Sequence, residues 1–361
     1  ERLGEDTRVT ILGHVQRGGA PSAYDRWMPT LVGHAAALEV LNAGSDHEPQ
    51  LIGVRANRVH RTPLMEAVEA TREIPRLIKA GQYEEAMATR GSSFTEMVRV
   101  FEGIAQVAPK EGSSGQRIAI MHAGGLAPGM NSAVRAAVRF GMSRGHTMLG
   151  IRGSFQGLID GEVSELNWGA VDDWLAVGGA ELGTGRSVPS LEQYYAVSRC
   201  LENHDVDALL VIGGHRAYES LNRMLAERDR YPGFTIPVIA LPTSIDNNLP
   251  GWEMSIGADT ALNEIVSAVD RLKQSAMASR RCFVVEIMGR YCGFLSLVGA
   301  MSVGAEKVYL HENGVRLADL SADVEEMARS FGAGRRFHLA IRNENASVGY
   351  TQFTAEDANG D

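Results

Sequence analysis

At 361 residues with 44% hydrophobic side chains, the chain has enough apolar matter for two or three ordinary domains and too much to be disordered. A formal net charge of -9 argues against a protein made to coat nucleic acid, while leaving room for a local arginine cluster around a small anion. The 3 cysteines, Cys200, Cys282 and Cys292, have no metal-type spacing, and no apolar run reads as a bilayer span or a signal peptide. We therefore expect a cytoplasmic protein with no disulfide scaffold, no zinc site and no membrane contact. Glu1 stands where an initiator methionine would, so the chain reads as a piece of something longer.

In chain order, residues 8–15 (RVTILGHV) read as a short strand, followed by a Gln-Arg-Gly-Gly-Ala-Pro-Ser turn and a helix from about Tyr24 to Leu41. Thr62 before Pro63 is a helix start with a capping hydroxyl. Leu64, Val68, Ile74, Leu77 and Ile78 form its apolar stripe, with a kink expected at Pro75. Helix continues over 82–105, with Phe94, Met97, Val100 and Phe101 on one face. A polar stretch rich in glycine, serine and proline then marks a linker at 106–116 and a boundary between regions 1–105 and 117–361.

Beyond the linker the pattern becomes strand, loop, helix. Strands are expected near 118–121, 148–151, 208–212, 237–241, 283–288, 306–310 and 338–341, with helices between them. Alternation of this kind implies an α/β fold with doubly wound, mainly parallel sheets and helices on both faces, binding ligands beyond the carboxyl ends of the strands. The helix after Asp259 carries Leu262, Ile265, Val266, Val269 and Leu272 at helical spacing and serves packing.

Three strand-ending loops could do chemistry. Two carry glycines, Gly124, Gly125 and Gly129 in one and Gly213 and Gly214 in the other, where backbone amides can approach a phosphate. Neither is a P-loop, for both lack the Gly-Lys-Ser/Thr ending. The third, Leu241–Gly251, holds Asp246 between polar neighbours and is bracketed by Pro242, Pro250 and Gly251. It reads either as a shaped ledge for a substrate or as a well-capped surface turn. Arg8, Arg17, Arg186, Arg281 and Arg290 fall at loop or strand ends, and together they point to an anionic sugar or nucleotide ligand.

Met288-Gly-Arg-Tyr-Cys-Gly293, taken with the Asp246 loop and with Gly-His-Val-Gln-Arg-Gly-Gly at 13–19, resembles 6-phosphofructokinase, and the resemblance covers nearly the whole chain. The layout resembles the double-length form, with residues 1–105 as the end of a first half and 117–361 as the opening and middle of a second. The resemblance implies a glycolytic phosphotransferase that moves a phosphoryl group from ATP to the 1-hydroxyl of fructose 6-phosphate with magnesium, as a homo-oligomer, a tetramer in the family. It places Arg8, His14 and Arg17 at the first half's sugar-phosphate site. In the second half it places Arg186, Ser244, Asn247, Asn248, Arg281, Met288, Gly289, Arg290 and Glu344 at the corresponding site, with Asp246 at the catalytic base.

Departures from the family pattern are equally specific. Gly213-Gly214-His215-Arg216 stands where catalytic halves carry Gly-Gly-Asp-Gly, Leu126 stands for a second Asp, and Asn248 for a third. A histidine or arginine cannot replace a magnesium-binding carboxylate, because magnesium prefers hard oxygen ligands. The resemblance thus implies a second half that keeps the base but has lost its metal site, and that holds a fructose bisphosphate effector, with the isolated chain inactive. Two other readings stand beside this one: a non-catalytic regulatory module that binds a sugar bisphosphate, and a pyrophosphate-dependent enzyme.

Overall fold

The computed structural model describes residues 8–44, 47–105 and 115–348; the expectations placed on 106–114 and on the tail from Thr351 lie outside them. The strand expected over 8–15 is not formed. Residues 8–13 have no regular structure, His14–Arg17 make a single 3-10 turn, and Val9 and Ile11 are 84% and 87% exposed. Local β preference needs a ladder partner to become a strand, and no described strand runs beside this segment.

Helix α1 (Tyr24–Asn42) follows as expected. Next comes an antiparallel hairpin that the sequence did not announce, β1 (Gln50–Arg55) with β2 (Arg58–Pro63), turning through Ala56 and Asn57 at φ 48 and 56. Thr62 pairs with Leu51 in this hairpin instead of capping a helix, so α2 (Leu64–Lys79) starts after Pro63 and runs on through Pro75. The single helix expected over 82–105 is two, α3 (Tyr83–Arg90) and α4 (Ser92–Ile104). They break at Gly91, whose φ of 116 and ψ of 157 suit glycine alone.

The larger sheet is built from β3 (Arg117–Ala123), β4 (Thr147–Ile151), β5 (Val163–Leu166), β6 (Ala208–Gly213) and β7 (Val238–Pro242). Its order is β5-β4-β3-β6-β7, parallel except for β5 against β4. Between the strands run α5 (Met130–Ser143), α6 (Phe155–Asp160), α7 (Tyr194–Asn203) and α8 (His215–Ala226). Alternate residues of β3 feed opposite cores: Ala119, Met121 and Ala123 pack with Tyr194, Val197 and Leu221, while Ile120 packs with Met130, Val134 and Val138. A strand buried on both faces is apolar throughout, which is why this region was legible as short apolar runs.

The smaller sheet contains β8 (Cys282–Ile287), β9 (Lys307–Tyr309) and β10 (His338–Asn343), parallel in the order β8-β10-β9. Around it lie α9 (Ala258–Ser279), α10 (Phe294–Val303) and α11 (Leu317–Gly332). Leu262, Val266 and Val269 of α9 join Ile287, Leu295, Leu339 and Ile341 in one core. Ala23, fully buried at the start of α1, belongs to the same core. Beside it Arg26 pairs with Asp270 at 2.8 Å, so the N-terminal region docks on α9 and α10.

Candidate functional site

The carboxyl ends of β7, β8 and β10 meet around Asp246. The loop leaving β7 is closed at its neck by a bridge between Thr243 and Ile256, with Ser244 N–H donating to the Ile256 carbonyl at 3.2 Å. Within the loop the Ser244 hydroxyl accepts the Asp246 N–H at 3.2 Å and donates to Asn248 Oδ1 at 3.0 Å. Asn247, in the left-handed region at φ 51, donates to the Glu253 carbonyl at 3.1 Å and accepts the Ser255 N–H at 2.7 Å. The loop is thus a well-capped turn and a rigid ledge together: the caps use the serine and asparagine side chains, and the Asp246 carboxylate is left for something else.

That carboxylate is half-buried. Burial pushes its pKa up, the charge of Glu344 pushes the same way, and Arg290 and Arg186 oppose them. Two carboxylates and two guanidiniums therefore share one electrostatic neighbourhood, in which Asp246 holds its proton more readily than a free carboxyl.

Arg290 is presented by a strained turn after β8. Gly289 has φ 147, and a Cβ there would sit 2.3 Å from the Cys292 carbonyl; Arg290 itself is left-handed at φ 49. Glu344, one residue past β10, holds the turn from beneath, its Oε1 accepting the N–H groups of Gly289 at 3.1 Å and Arg290 at 2.6 Å. Met288 is exposed beside it, and Cys292 Sγ donates to the Asn247 carbonyl at 3.9 Å, linking this turn to the Asp246 loop.

The glycine loops lie at the neighbouring ends of β3 and β6. Gly124, at φ 95, donates to the Gly185 carbonyl at 2.7 Å, and the Thr184 hydroxyl donates to the Gly124 carbonyl at 3.1 Å, which brings Arg186 alongside Gly125. A Cβ at Gly213 would lie 2.3 Å from the Ala123 carbonyl and one at Gly214 2.8 Å from that of Thr243, so these glycines allow three strand ends to crowd together. Gly129, at φ 97, opens α5. His215 opens α8, Arg216 pairs with Glu219 at 2.9 Å, and Leu126 is 56% exposed. His122, fully buried before this loop, lies with Nε2 3.2 Å from the Met130 carbonyl and is held neutral, its pKa lowered by burial to about 4.

The remaining candidates lie apart. Arg281 precedes β8, where its N–H donates to the Ala276 carbonyl, while Met288 follows the other end of that strand. At roughly 3.3 Å per residue, the strand between them keeps the two about 20 Å apart. Arg8, His14 and Arg17 are exposed ahead of α1. Asn343, fully buried at the end of β10, escaped the sequence reading; its one signal was a polar residue closing an apolar strand.

The model of the phosphofructokinase family matches residues 1–40 and 117–359. The chain belongs to the phosphofructokinase family. It is 41% identical to an ATP-dependent 6-phosphofructokinase of Aspergillus fumigatus, a match covering 97% of this chain and 45% of that protein. To the platelet-type ATP-dependent 6-phosphofructokinase of Rattus norvegicus it is 40% identical, over 97% of this chain and 44% of the relative. The phosphofructokinase of Saccharomyces cerevisiae superposes with a TM-score of 0.91 at 38% identity, covering 97% of this chain and 47% of that one. The T-state phosphofructokinase of Pichia pastoris gives 0.89 at 36%, covering 96% and 40%. The chain spans about half the length of the phosphofructokinases it matches, as expected for half of a double-length enzyme. A pyrophosphate-dependent phosphofructokinase from Marinobacter aquaeolei, at 17% identity and a TM-score of 0.56, shares the fold alone.

Proposed function

We propose that the chain is part of an ATP-dependent 6-phosphofructokinase, and that the site around Asp246 binds a sugar phosphate or sugar bisphosphate without phosphorylating it. The observation that carries this reading is the company Asp246 keeps. Arg186 and Arg290 supply cationic forks suited to phosphate oxygens, and Glu344 adds a hydrogen-bond acceptor, whereas positions 126, 215 and 248 hold Leu, His and Asn.

Magnesium does not fit this donor set. It needs hard oxygen ligands, and the side chains nearest Asp246 on its own loop, Ser244 and Asn248, are neutral and bonded to each other. Phosphoryl transfer rests on positioning and charge neutralisation as well as on an aligned base. Burial and Glu344 raise the pKa of Asp246, which suits a base, but with Leu, His and Asn at 126, 215 and 248 that base lacks the charge neutralisation phosphoryl transfer needs beside it.

In this proposal residues 1–105 close one half, 117–361 open and continue the next, and Arg8, His14 and Arg17 serve the first half's sugar site in a cytoplasmic homo-oligomer. Arg281, a strand's length away, does not touch a ligand held at Asp246 of its own chain. The exposed Met97 and Phe101 of α4 fit an assembly in which further protein covers that helix.

Calorimetric titration of the chain with fructose 6-phosphate, fructose 2,6-bisphosphate and magnesium-ATP, each in turn, tests the reading. Saturable binding of a sugar phosphate, tighter than that of the nucleotide and without turnover, is the expected result. Phosphorylation of fructose 6-phosphate at Asp246, lost in Asp246→Asn, would overturn it.

A further inference from the structure

The turn that presents Arg290 holds two residues in backbone conformations that L side chains rarely adopt, so something outside the turn must keep it there. Part of the answer is Glu344, which binds its first two amides. The other part is Asn343. Its Nδ2 donates to the Cys292 carbonyl at 3.2 Å, and its Oδ1 accepts the Asn345 N–H at 3.2 Å. Its backbone is in register with Ile287, the last residue of β8. Cys292 in turn donates its N–H to the Gly289 carbonyl at 2.8 Å, and the space where a Gly289 Cβ would stand is closed by Asn343 Nδ2 at 2.9 Å.

We propose that Asn343 is a positioning residue of the sugar-phosphate site: its carboxamide fixes the Gly289–Gly293 turn and so aims Arg290 at the space beside Asp246. The inference rests on the sugar-phosphate reading of that site. A carboxamide is the group this place requires, because a donor must face the Cys292 carbonyl while an acceptor faces the Asn345 amide, and the Asn343 residue that makes both bonds is fully buried. Asp at 343 has the same shape but, when ionised, turns a lone pair toward the Cys292 carbonyl. The turn then loses its tie, and Arg290 loses its fixed direction.

The test is a double-mutant cycle on the whole chain, with fructose 6-phosphate and fructose 2,6-bisphosphate as calorimetric probes. Asn343→Asp and Arg290→Ala should each weaken binding, the former by about tenfold, and the double variant should bind about as weakly as Arg290→Ala alone, since Asn343 acts through Arg290. Binding by Asn343→Asp equal to wild type, or losses that simply multiply in the double variant, would overturn the proposal. Should Asn343→Asp not fold, Asn343→Ser, smaller and uncharged, goes through the same cycle. Hydrogen exchange at the Arg290 amide in the ligand-free chain separates this inference from the reading beneath it. If wild type binds neither sugar phosphate, the functional reading fails, yet faster exchange in Asn343→Asp still supports the tie, and unchanged exchange refutes it.

Discussion

The Ala23 N–H donates to Asn263 Oδ1 at 3.0 Å, a bond between residues 240 positions apart. It fastens the start of α1 to α9, and the Ser302 hydroxyl lies 3.4 Å from the Ala23 carbonyl on the other side. The packing unit of the smaller sheet thus includes α1, from the first fifty residues of the chain, held to α9 and α10 by these bonds.

Asn263→Ala should therefore leave a buried amide without a partner and lower stability by about 1–3 kcal/mol. Urea unfolding would read this as a lower midpoint, and the fluorescence of Trp27, isolated by replacing Trp168, Trp174 and Trp252 with Phe, should follow the same transition as far-UV circular dichroism. Separate transitions would show that α1 does not share the fate of the smaller sheet.

Acid should weaken the fold through His122. Buried and neutral in the native state, it takes a proton only near pH 4, whereas the unfolded chain takes one near 6.5. The unfolded state binds more protons between those values, so stability is full above 6.5 and falls as pH drops toward 4, by on the order of 3 kcal/mol. His122→Leu should flatten that part of the profile of unfolding midpoint against pH; an unchanged profile would place the acid sensitivity elsewhere.

Asp246 works with the opposite sign. Its pKa is raised above the ordinary 3.8, so the native state holds its proton longer than the unfolded chain does, and stability declines as pH rises from 3.8 through the native value. Asp246→Asn should escape the decline. The gap in midpoint between variant and wild type should open across that window and then stay constant, whereas a gap independent of pH would show that Asp246 ionises freely.

Arg290 and Arg281 should behave differently. Arg290→Ala is expected to weaken sugar-phosphate binding by at least about tenfold, the scale of one lost charge-assisted contact. Arg281→Ala should change it by less than about twofold at concentrations where the chain is monomeric, because a strand's length separates it from Asp246. Equal losses would mean that the chain delivers Arg281 to the site by a route its own fold does not provide.

Gly289→Ala should be among the most damaging single-atom additions. The new Cβ would meet the Cys292 carbonyl at 2.3 Å, in a backbone region closed to alanine. A loss of about 2 kcal/mol or more is expected, with sugar-phosphate affinity falling alongside it. A variant as stable as wild type would show that the turn has another conformation open to it.

What the sequence disclosed follows from the range of the forces involved. Strands β3 and β6 were legible because a largely buried parallel strand is apolar along most of its length, β7 because it is apolar even though Ile239 is exposed at the sheet edge, and Asp246 because prolines and glycine bracket it. The hairpin at 50–63 was hidden by a turn of Ala56 and Asn57 in place of Asn-Gly, and the strand expected at 8–15 is not formed because no described strand runs beside it to make a ladder, which no local pattern can reveal. Within the site, Arg290 and Glu344 came from motif resemblance. Asn343 did not, since its importance lies in a bond to Cys292, 51 positions away, that exists only once β8 and β10 pair. Arg281, carried over by the same resemblance, flanks β8 at the end opposite Met288, and the substitution above decides its role.

The bridge between Thr243 and Ile256 bears on how a ligand would be received. By tying the loop shut at its neck, and with the Ser244 and Asn247 side chains capping it from within, it sets much of the loop's conformation during folding, before any ligand arrives. A sugar phosphate then meets a surface with little left to freeze, so association should be limited by encounter and desolvation rather than by loop ordering.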